Sequence, residues 1–471
     1  MDFEDRNKRS ENTLSFHGGV LGALLPFFTF LVGVAFIALS GTPDERGFWP
    51  ILILSMCVGL ILAKNRSEYC TATIRGMSQE IVMIMITAWM LASMIGILMT
   101  ITGLVDALIW IAEQMNLSGP GFVVASFIIC CTVSLSTGSS FATILICGPI
   151  LYPAGGMVES NLPMLAGAIL GGATFGDFIA PISDTTIASA LSQKAEIGPT
   201  VKSRVKYILP VFMVSILAYY LAHPGNEEGL NTATKSLSGN PDGLLMILVP
   251  IVIIYLFLKG KHLMHGLLIG LVFGVVLSLF AGLLPMDQLL TLDIENMTAR
   301  SFIIDGINRA VGISFFTILL MGLVASLNES GVVEKVVSFA RERTNSLIQA
   351  ELWISGVASL AVLLITHSIV AILTVADFSN RTGTKWNIDP TRRANLLSLV
   401  VCFFPFLLPY FIPVILMANT TQTGAEYGIQ TVSAFEIGMH NFVAWGLMFM
   451  TLLTLITGYG RARIIKSTPV K

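Results

Sequence analysis

The chain has 471 residues, of which 54% are hydrophobic and only 12% charged, with a mean hydropathy of +0.79. A soluble globular chain carries about a quarter charged residues, so an ordinary soluble domain is excluded. The net charge of −2 comes with no basic patch of the kind that binds nucleic acid, and in a membrane protein the side on which charge lies matters more than its sum. The composition leaves an all-α integral membrane protein: apolar segments near the length of a helical crossing, roughly 20 residues, recur from Val20 to near Leu455, and nothing alternates with the period of a membrane barrel strand.

In chain order, the opening "MDFEDRNKRSENTLSFH" is polar and mixed in charge, unlike the basic region and small-residue cleavage site of a signal peptide. Residues 1–19 are therefore expected to be a cytoplasmic segment, and the first apolar run a retained helix. Ten crossings are expected, at about 20–40, 48–63, 80–102, 162–190, 205–222, 243–258, 263–283, 303–327, 395–418 and 438–458. Two further apolar stretches are interrupted: 122–153 by "SLSTGSS" and 352–378 by "THS". Each half is then roughly 13 residues, too short to span hydrocarbon, so each pair fits a re-entrant hairpin with its tip at mid-membrane. Five of the six cysteines (Cys57, Cys70, Cys130, Cys131, Cys147, Cys402) lie in apolar runs and none has a paired metal-ligand spacing, which reads as free thiols.

Lysine and arginine placement supports this count. With the N-terminus (Arg6, Lys8, Arg9) cytoplasmic and both hairpins returning to their starting side, the cytoplasmic loops hold most of the basic residues: Lys64, Arg66, Arg75, Lys194, Lys202, Arg204, Lys206, Lys259, Lys261, Lys335, Arg341, Arg343, Arg381, Lys385, Arg392 and Arg393, then Arg461, Arg463 and Lys466 in a cytoplasmic tail. The outer loops hold Arg46, Lys235 and Arg300. A weak internal repeat places "TGLVDALIWIAEQ" from Thr102 over "ESGVVEKVVSFARE" from Glu329, with Gly103 over Gly331 and Asp106 over Glu334; Thr137 falls over Thr366 and Pro181 over Pro409 at almost the same offset. The division is a first transmembrane repeat at 20–222 with hairpin 122–153, an outer loop at 223–242, a second repeat at 243–458 with hairpin 352–378, and a tail at 459–471. Five crossings per half is odd, so the second half enters the membrane inverted, the plan of a secondary transporter with its site at the midplane where broken helices meet.

The stretch "GDFIAPISDTT", residues 176–186, places Asp177 and Asp184 inside an apolar run. A carboxylate at the centre of a membrane helix costs about 2.5–3.5 kcal/mol on insertion scales, so it faces a cavity, a partner or an ion. Pro181 breaks the helix, which predicts an unwound segment from Gly176 to Thr186. Its carbonyls, the hydroxyls of Ser183, Thr185 and Thr186, and the two carboxylates make an oxygen set suited to Na⁺, and the carboxylates, partly desolvated, can carry a proton near neutral pH. The hairpin tips add Ser134, Ser136, Thr137, Gly138, Ser139 and Ser140 at a half-helix N-terminus, and Thr366, His367 and Ser368 in the second half. Structural readings stand beside these: threonine hydroxyls bond their own helix, His367 can be a hydrogen-bonded core histidine, and Asp377 is either a gate or a solvated interfacial residue. Asp106 and Glu334 read as amphipathic interface residues, Arg309 as a local partner of Asp305. The second half has no acidic copy of the motif; Asn419, Thr420 and Thr421 are the polar cluster after Pro409. No His-Glu-x-x-His and no phosphate-binding glycine loop occurs, so neither an intramembrane metalloenzyme nor an ATP-driven pump is expected.

At "GDFIAPISDTT" the chain resembles the NhaC-type sodium/proton antiporter family, with support from "SLSTGSSFAT", over about residues 15–458. The family form carries a serine before the proline where Ala180 stands here, one possible ligand fewer. The resemblance implies a transport site at Asp177, Ser183, Asp184, Thr185 and Thr186, Na⁺ held by Asp177 and Asp184, and Na⁺/H⁺ exchange across the plasma membrane with no cofactor beyond the transported ions. Related carriers exchange malate for lactate or move amino acids, so a Na⁺- or H⁺-coupled carrier of a small organic anion or amino acid is the alternative. Lipid is the expected surrounding, no nucleic acid is expected, and a homodimer is left open.

Overall fold

Apolar runs in hydrocarbon must satisfy every backbone N–H and C=O internally, which a helix does. In the computed structural model, which describes residues 14–39, 45–115, 117, 119–221, 240–294 and 297–461, the chain is helical nearly throughout. The one described sheet pairs Thr291–Asp293 with Thr298–Arg300 antiparallel. Among the described residues nine spans are long and apolar enough to cross a membrane, and the protein is an all-α, multi-pass membrane protein. Of the expected segments, residues 1–13, most of the loop 223–242 with Lys235, and the tail beyond Arg461 lie outside the described residues.

The first half runs α1 (Val20–Leu39), α2 (Phe48–Leu62), α3 (Arg66–Met77), α4 (Glu80–Ile101), α5 (Leu104–Gln114), α6 (Gly119–Thr137), α7 (Ser140–Met157), α8 (Leu162–Ile179), α9 (Asp184–Ser192) and α10 (Ile197–Leu221). The second runs α11 (Leu248–Leu258), α12 (Leu263–Phe280), α13 (Phe302–Asn328), α14 (Val332–Glu342), α15 (Leu347–Ile365), α16 (Ser368–Lys385), α17 (Pro390–Val401), α18 (Ile412–Thr420), α19 (Ala434–Met439) and α20 (Phe442–Thr457). Polar caps start several of them: Asn161 accepts from Met164 N, Ser346 from Gln349 N, and Asp389 from Thr391 N and Arg392 N. These side chains take up amides that the first helical turn leaves orphaned.

Three expectations change. The arms of the interrupted stretches are 18 or 19 residues long rather than about 13: α6 and α7 cover 119–157, α15 and α16 cover 347–385. Pro149 and Pro153 sit inside α7 without ending it, as packed membrane helices allow. Second, the run 395–418 is two helices, α17 and α18, separated by a 3₁₀ turn at Phe404–Phe406; Pro405 and Pro413 each occupy an early helical position, where a missing N–H costs nothing. Third, the break that Pro181 predicts in the crossing at 162–190 is shorter than the stretch from Gly176 to Thr186: α8 runs to Ile179 and α9 begins at Asp184. Adding 228 to the limits of α5, α6 and α7 returns those of α14, α15 and α16, and Gly103 and Gly331, each just before α5 and α14, both have positive φ, +77° and +69°.

The basic residues also divide differently. Arg204, Arg392 and Arg393, expected in loops, are buried, because each has fixed polar partners inside the fold. Arg392 lies bidentate on Glu351, Nε to Oε1 and Nη2 to Oε2 both at 3.0 Å, and Arg461 reaches Oε2 at 2.7 Å. Arg392 also donates to Tyr459 O at 2.8 Å, so the described residues just after α20 are tied to α15 and α17. Arg393 donates to Thr384 Oγ1 and Asn380 O of α16. Arg309 pairs with Glu426 at 3.0 Å rather than with Asp305. Removing one member of a buried pair strands the other charge, a loss of about 3–5 kcal/mol. Glu351→Ala is expected to lower the thermal midpoint of the detergent-purified protein by several degrees, read by intrinsic fluorescence; an unchanged midpoint would show that water reaches Arg392.

Candidate functional site

The site begins with a missing donor. In a continuous helix the carbonyl of Asp177 would accept from residue 181, but Pro181 has no N–H. Helix α8 makes its last bond from Ala180 N to Gly176 O, at 2.7 Å, and α9 resumes at Asp184. Two carbonyls beside the break find other donors: Asp177 O accepts from Thr185 Oγ1 at 3.0 Å, and Phe178 O from Arg204 Nη1 at 2.6 Å. The break is thus four residues, 180–183, not the eleven expected from Gly176 to Thr186; substitute donors let helix persist up to Ile179 and restart within the motif.

The Asp177 carboxylate is 8% exposed. Its Oδ1 accepts from Ser183 Oγ at 2.8 Å and Thr185 Oγ1 at 3.2 Å, and those hydroxyls are 2.9 Å apart. Asp184, the first residue of α9, is exposed. Asp177, Asp184 and Thr185 open onto one cavity of about 670 Å³, which is also lined by Thr137, Gly138 and Ser139 of the first tip and Thr366, His367 and Ser368 of the second. Ile81, Met85 and Trp89 of α4, Lys261 and His262 before α12, and Pro405, Phe406, Ile412 and Pro413 around the second break complete it. Both hairpin tips and both interrupted helices therefore meet at one place.

Local chemistry explains the convergence. Gly138 has φ +66°, and a Cβ there would stand 2.6 Å from Ile182 Cγ1 and 2.9 Å from the Ile182 carbonyl carbon. Only glycine satisfies both the left-handed turn and the close approach to the break. Thr366 holds the equivalent bend with φ +56°. Ser139 caps α7 by accepting from Ala142 N at 3.2 Å, and Ser368 Oγ donates to Val401 O at 3.0 Å, fastening the second tip to the end of α17. Farther from the tip, Ser134 Oγ donates to Ala173 O at 2.8 Å, docking α6 on α8.

Most of the expected site residues are brought together. Ser136, half-buried in the last turn of α6, does not line the cavity. Ser183 sits behind Asp177 and touches it. Thr186 is turned away from the cavity and accepts from Arg204 Nη1 at 2.7 Å. His367 lines the cavity, and its Nδ1 has no hydrogen-bond partner among the described residues. Asp377 is exposed, paired with Arg381 at 2.7 Å and Arg341 at 3.8 Å, an interfacial arrangement. Sequence reading missed Arg204, for which no basic residue beside the break was expected. The signal was there: Thr200, Arg204, Tyr207, Ile208, Val211, Ser215 and Tyr219 form the buried face of α10, so carrying the helical period one turn from Tyr207 toward the N-terminus reaches the arginine.

The Na⁺/H⁺ antiporter family model matches residues 20–223. A malate-2H⁺/Na⁺-lactate antiporter of Bacillus subtilis is 25% identical over 266 residues, covering 54% of this chain and 56% of that protein. The Na⁺/H⁺ antiporter NhaC of Alkalihalophilus pseudofirmus is 23% identical over 300 residues, 60% of this chain and 63% of its own length. The chain thus spans less than two thirds of these relatives. Another Na⁺/H⁺ antiporter NhaC, from Bacillus subtilis, is 24% identical over 170 residues, 34% of this chain and 38% of that one.

The cavity makes a direct accessibility pattern. With the exposed Cys57 and Cys70 replaced by serine, Ser139→Cys and Ile182→Cys are expected to react with a small water-soluble maleimide. Thr186→Cys and Ser189→Cys, fully buried behind the break, are expected to stay unlabelled under the same exposure; labelling at 186 would mean that the arginine side of the break is open to water.

Proposed function

We propose that the chain is a member of the Na⁺/H⁺ antiporter family, whose model matches residues 20–223, and that it is a secondary active transporter that exchanges sodium for protons across the plasma membrane. The observation that carries this reading is the Asp177 carboxylate: it stands on a broken membrane helix, is bound by two hydroxyls, and opens onto the cavity where both hairpin tips meet. An ionised carboxylate, hydroxyl oxygens and freed carbonyls match the ligand preference of Na⁺. The same carboxylate can take a proton instead, so the two ions compete for one place and exchange follows from their alternation. Asp184, exposed in the cavity, receives the incoming ion; Ser183 and Thr185 orient Asp177, and Thr186 supports α9 from behind. Thr137, Gly138, Ser139, Thr366, His367 and Ser368 close the site from the tips.

The 228-residue offset that relates α5–α7 to α14–α16 supports two inverted repeats, each with a re-entrant hairpin, and alternating access by movement of the hairpins and broken helices against the other spans. Lys261 and His262 at the cavity support a mouth on the side rich in basic loops, the side that the positive-inside rule assigns to the cytoplasm. The working partners in this reading are Na⁺, H⁺ and the surrounding lipid.

A second reading has an observation of its own. About 670 Å³ is far more than one sodium ion needs, and Lys261 supplies a positive charge at the wall; a small organic anion would fit, with Na⁺ or H⁺ at Asp177. Proteoliposomes holding a pH-sensitive dye separate the two. Addition of Na⁺ alone is expected to drive proton flux, which Asp177→Asn abolishes and Asp184→Asn reduces less. Silence with Na⁺, Li⁺ and K⁺, followed by flux once malate, lactate or an amino acid is supplied, would replace the first reading by the second.

A further inference from the structure

Arg204 is fully buried, yet its hydrogen bonds all end on neutral oxygens: Phe178 O at 2.6 Å, Thr186 Oγ1 at 2.7 Å, Ser189 Oγ at 2.9 Å, Ser398 Oγ at 2.6 Å and Asn395 Oδ1 at 3.1 Å. The guanidinium also lies 5.3 Å from the centre of the Phe178 ring. Among the described residues it has no ion pair, whereas Arg392, equally enclosed, is clamped on Glu351. A buried charge without a counter-charge is expensive. The carboxylate it comes nearest to along its bonds is Asp177, the residue before Phe178. Asp177, for its part, is bound by hydroxyls and by no basic side chain.

Two buried ionisable groups thus hold neighbouring residues, Arg204 on the Phe178 carbonyl and the Asp177 carboxylate on its hydroxyls, with no bond between them among the described residues. A direct salt bridge would stabilise both but would occupy the carboxylate oxygens. We propose that Arg204 is the resident counter-cation of the Asp177 site: it offsets the carboxylate's charge through the Phe178 peptide while leaving the oxygens free, and so holds the affinity for a transported cation low enough for release. A fixed positive charge bound to the carbonyl of the residue next to a cation site in a low-dielectric interior opposes a second cation there, and transport requires binding weak enough to leave. Arg204 touches no cargo and is a positioning residue. Its bonds to α8 and α9 on one side and to Asn395 and Ser398 of α17 on the other keep it fixed to both halves; Ser398 Oγ further donates to Ser189 Oγ at 2.8 Å.

The inference rests on the reading that Asp177 binds the transported cation, and the test separates the two. Radioactive Na⁺ binding to the purified full-length protein by scintillation proximity, at alkaline pH, would be paired with exchange in proteoliposomes for wild type, Arg204→Gln and Arg204→Lys. The glutamine variant is expected to bind Na⁺ about tenfold more tightly and to exchange more slowly at saturation. The lysine variant, which keeps the charge without the planar fork, is expected to stay within about threefold of wild-type affinity. A purely structural arginine gives the opposite sign: a damaged site binds Na⁺ more weakly in both variants, which overturns the proposal, as does an unchanged affinity in the glutamine variant. Should the glutamine variant fail to fold, the lysine variant decides, since loss of Na⁺ affinity with the charge retained also overturns it. Absence of Na⁺ binding in the wild type would fell the transport reading and this inference together.

Discussion

One absent hydrogen-bond donor organises the centre of this protein. Pro181 cannot give the carbonyl of Asp177 its helical partner, and in a water-poor interior a carbonyl without a donor is costly. The fold answers with a threonine hydroxyl from the next helix and an arginine from α10. Those two replacements set the rest: Thr185 is drawn across the break onto Asp177, Ser183 joins it, and the guanidinium is anchored where it can tie α8 and α9 to α17. Ala180–Ser183 forms a tight turn instead, closed by Ser183 N donating to Ala180 O at 3.1 Å.

Around that break the packing is built for close approach rather than bulk. Gly138 brings the first hairpin tip against Ile182 and Ser183, and α6 docks on α8 where Gly172 faces Cys130 and Gly176 faces Ser134. Helices in lipid gain little from burying apolar side chains against each other, so small residues and interhelical hydrogen bonds carry the association. The second half reaches the same cavity by a different route, with prolines at 405 and 413 and the fastening of Ser368 to Val401. In the proposed transport reading this asymmetry has a use: the carboxylates lie in one half, and the other supplies a wall, a capped tip and the far anchors of Arg204.

The interruptions of the apolar runs, the broken helix and most of the cavity-lining residues are legible because each announces itself locally. "SLSTGSS" and "THS" interrupt apolar runs, Pro181 interrupts a helix, and a carboxylate at 177 cannot be there without a cavity or a partner. The lengths of the hairpin arms were misjudged because prolines at 149 and 153 and glycines near the ends look like boundaries, whereas packing on neighbouring helices carries α7 through them. The run at 395–418 was read as one crossing because its hydropathy is continuous; the bend comes from where Pro405 and Pro413 fall relative to helix starts. Ser136 and Thr186 were right in kind and wrong in direction, since which face of a helix meets a cavity depends on what packs behind it.

By itself the sequence determined the class of molecule and the position of its polar break, because hydropathy, helical period and the missing N–H of proline are properties of neighbouring residues. Only the tertiary structure decided the fate of the arginines. Arg204 and Arg392 sit among basic residues that look like a solvated loop, and what makes them interior is a set of partners some 190 and 40 residues distant: Asn395 and Ser398 for one, Glu351 for the other. A charged side chain can be buried only where such partners converge, and convergence across the whole chain is what folding, rather than local sequence, supplies.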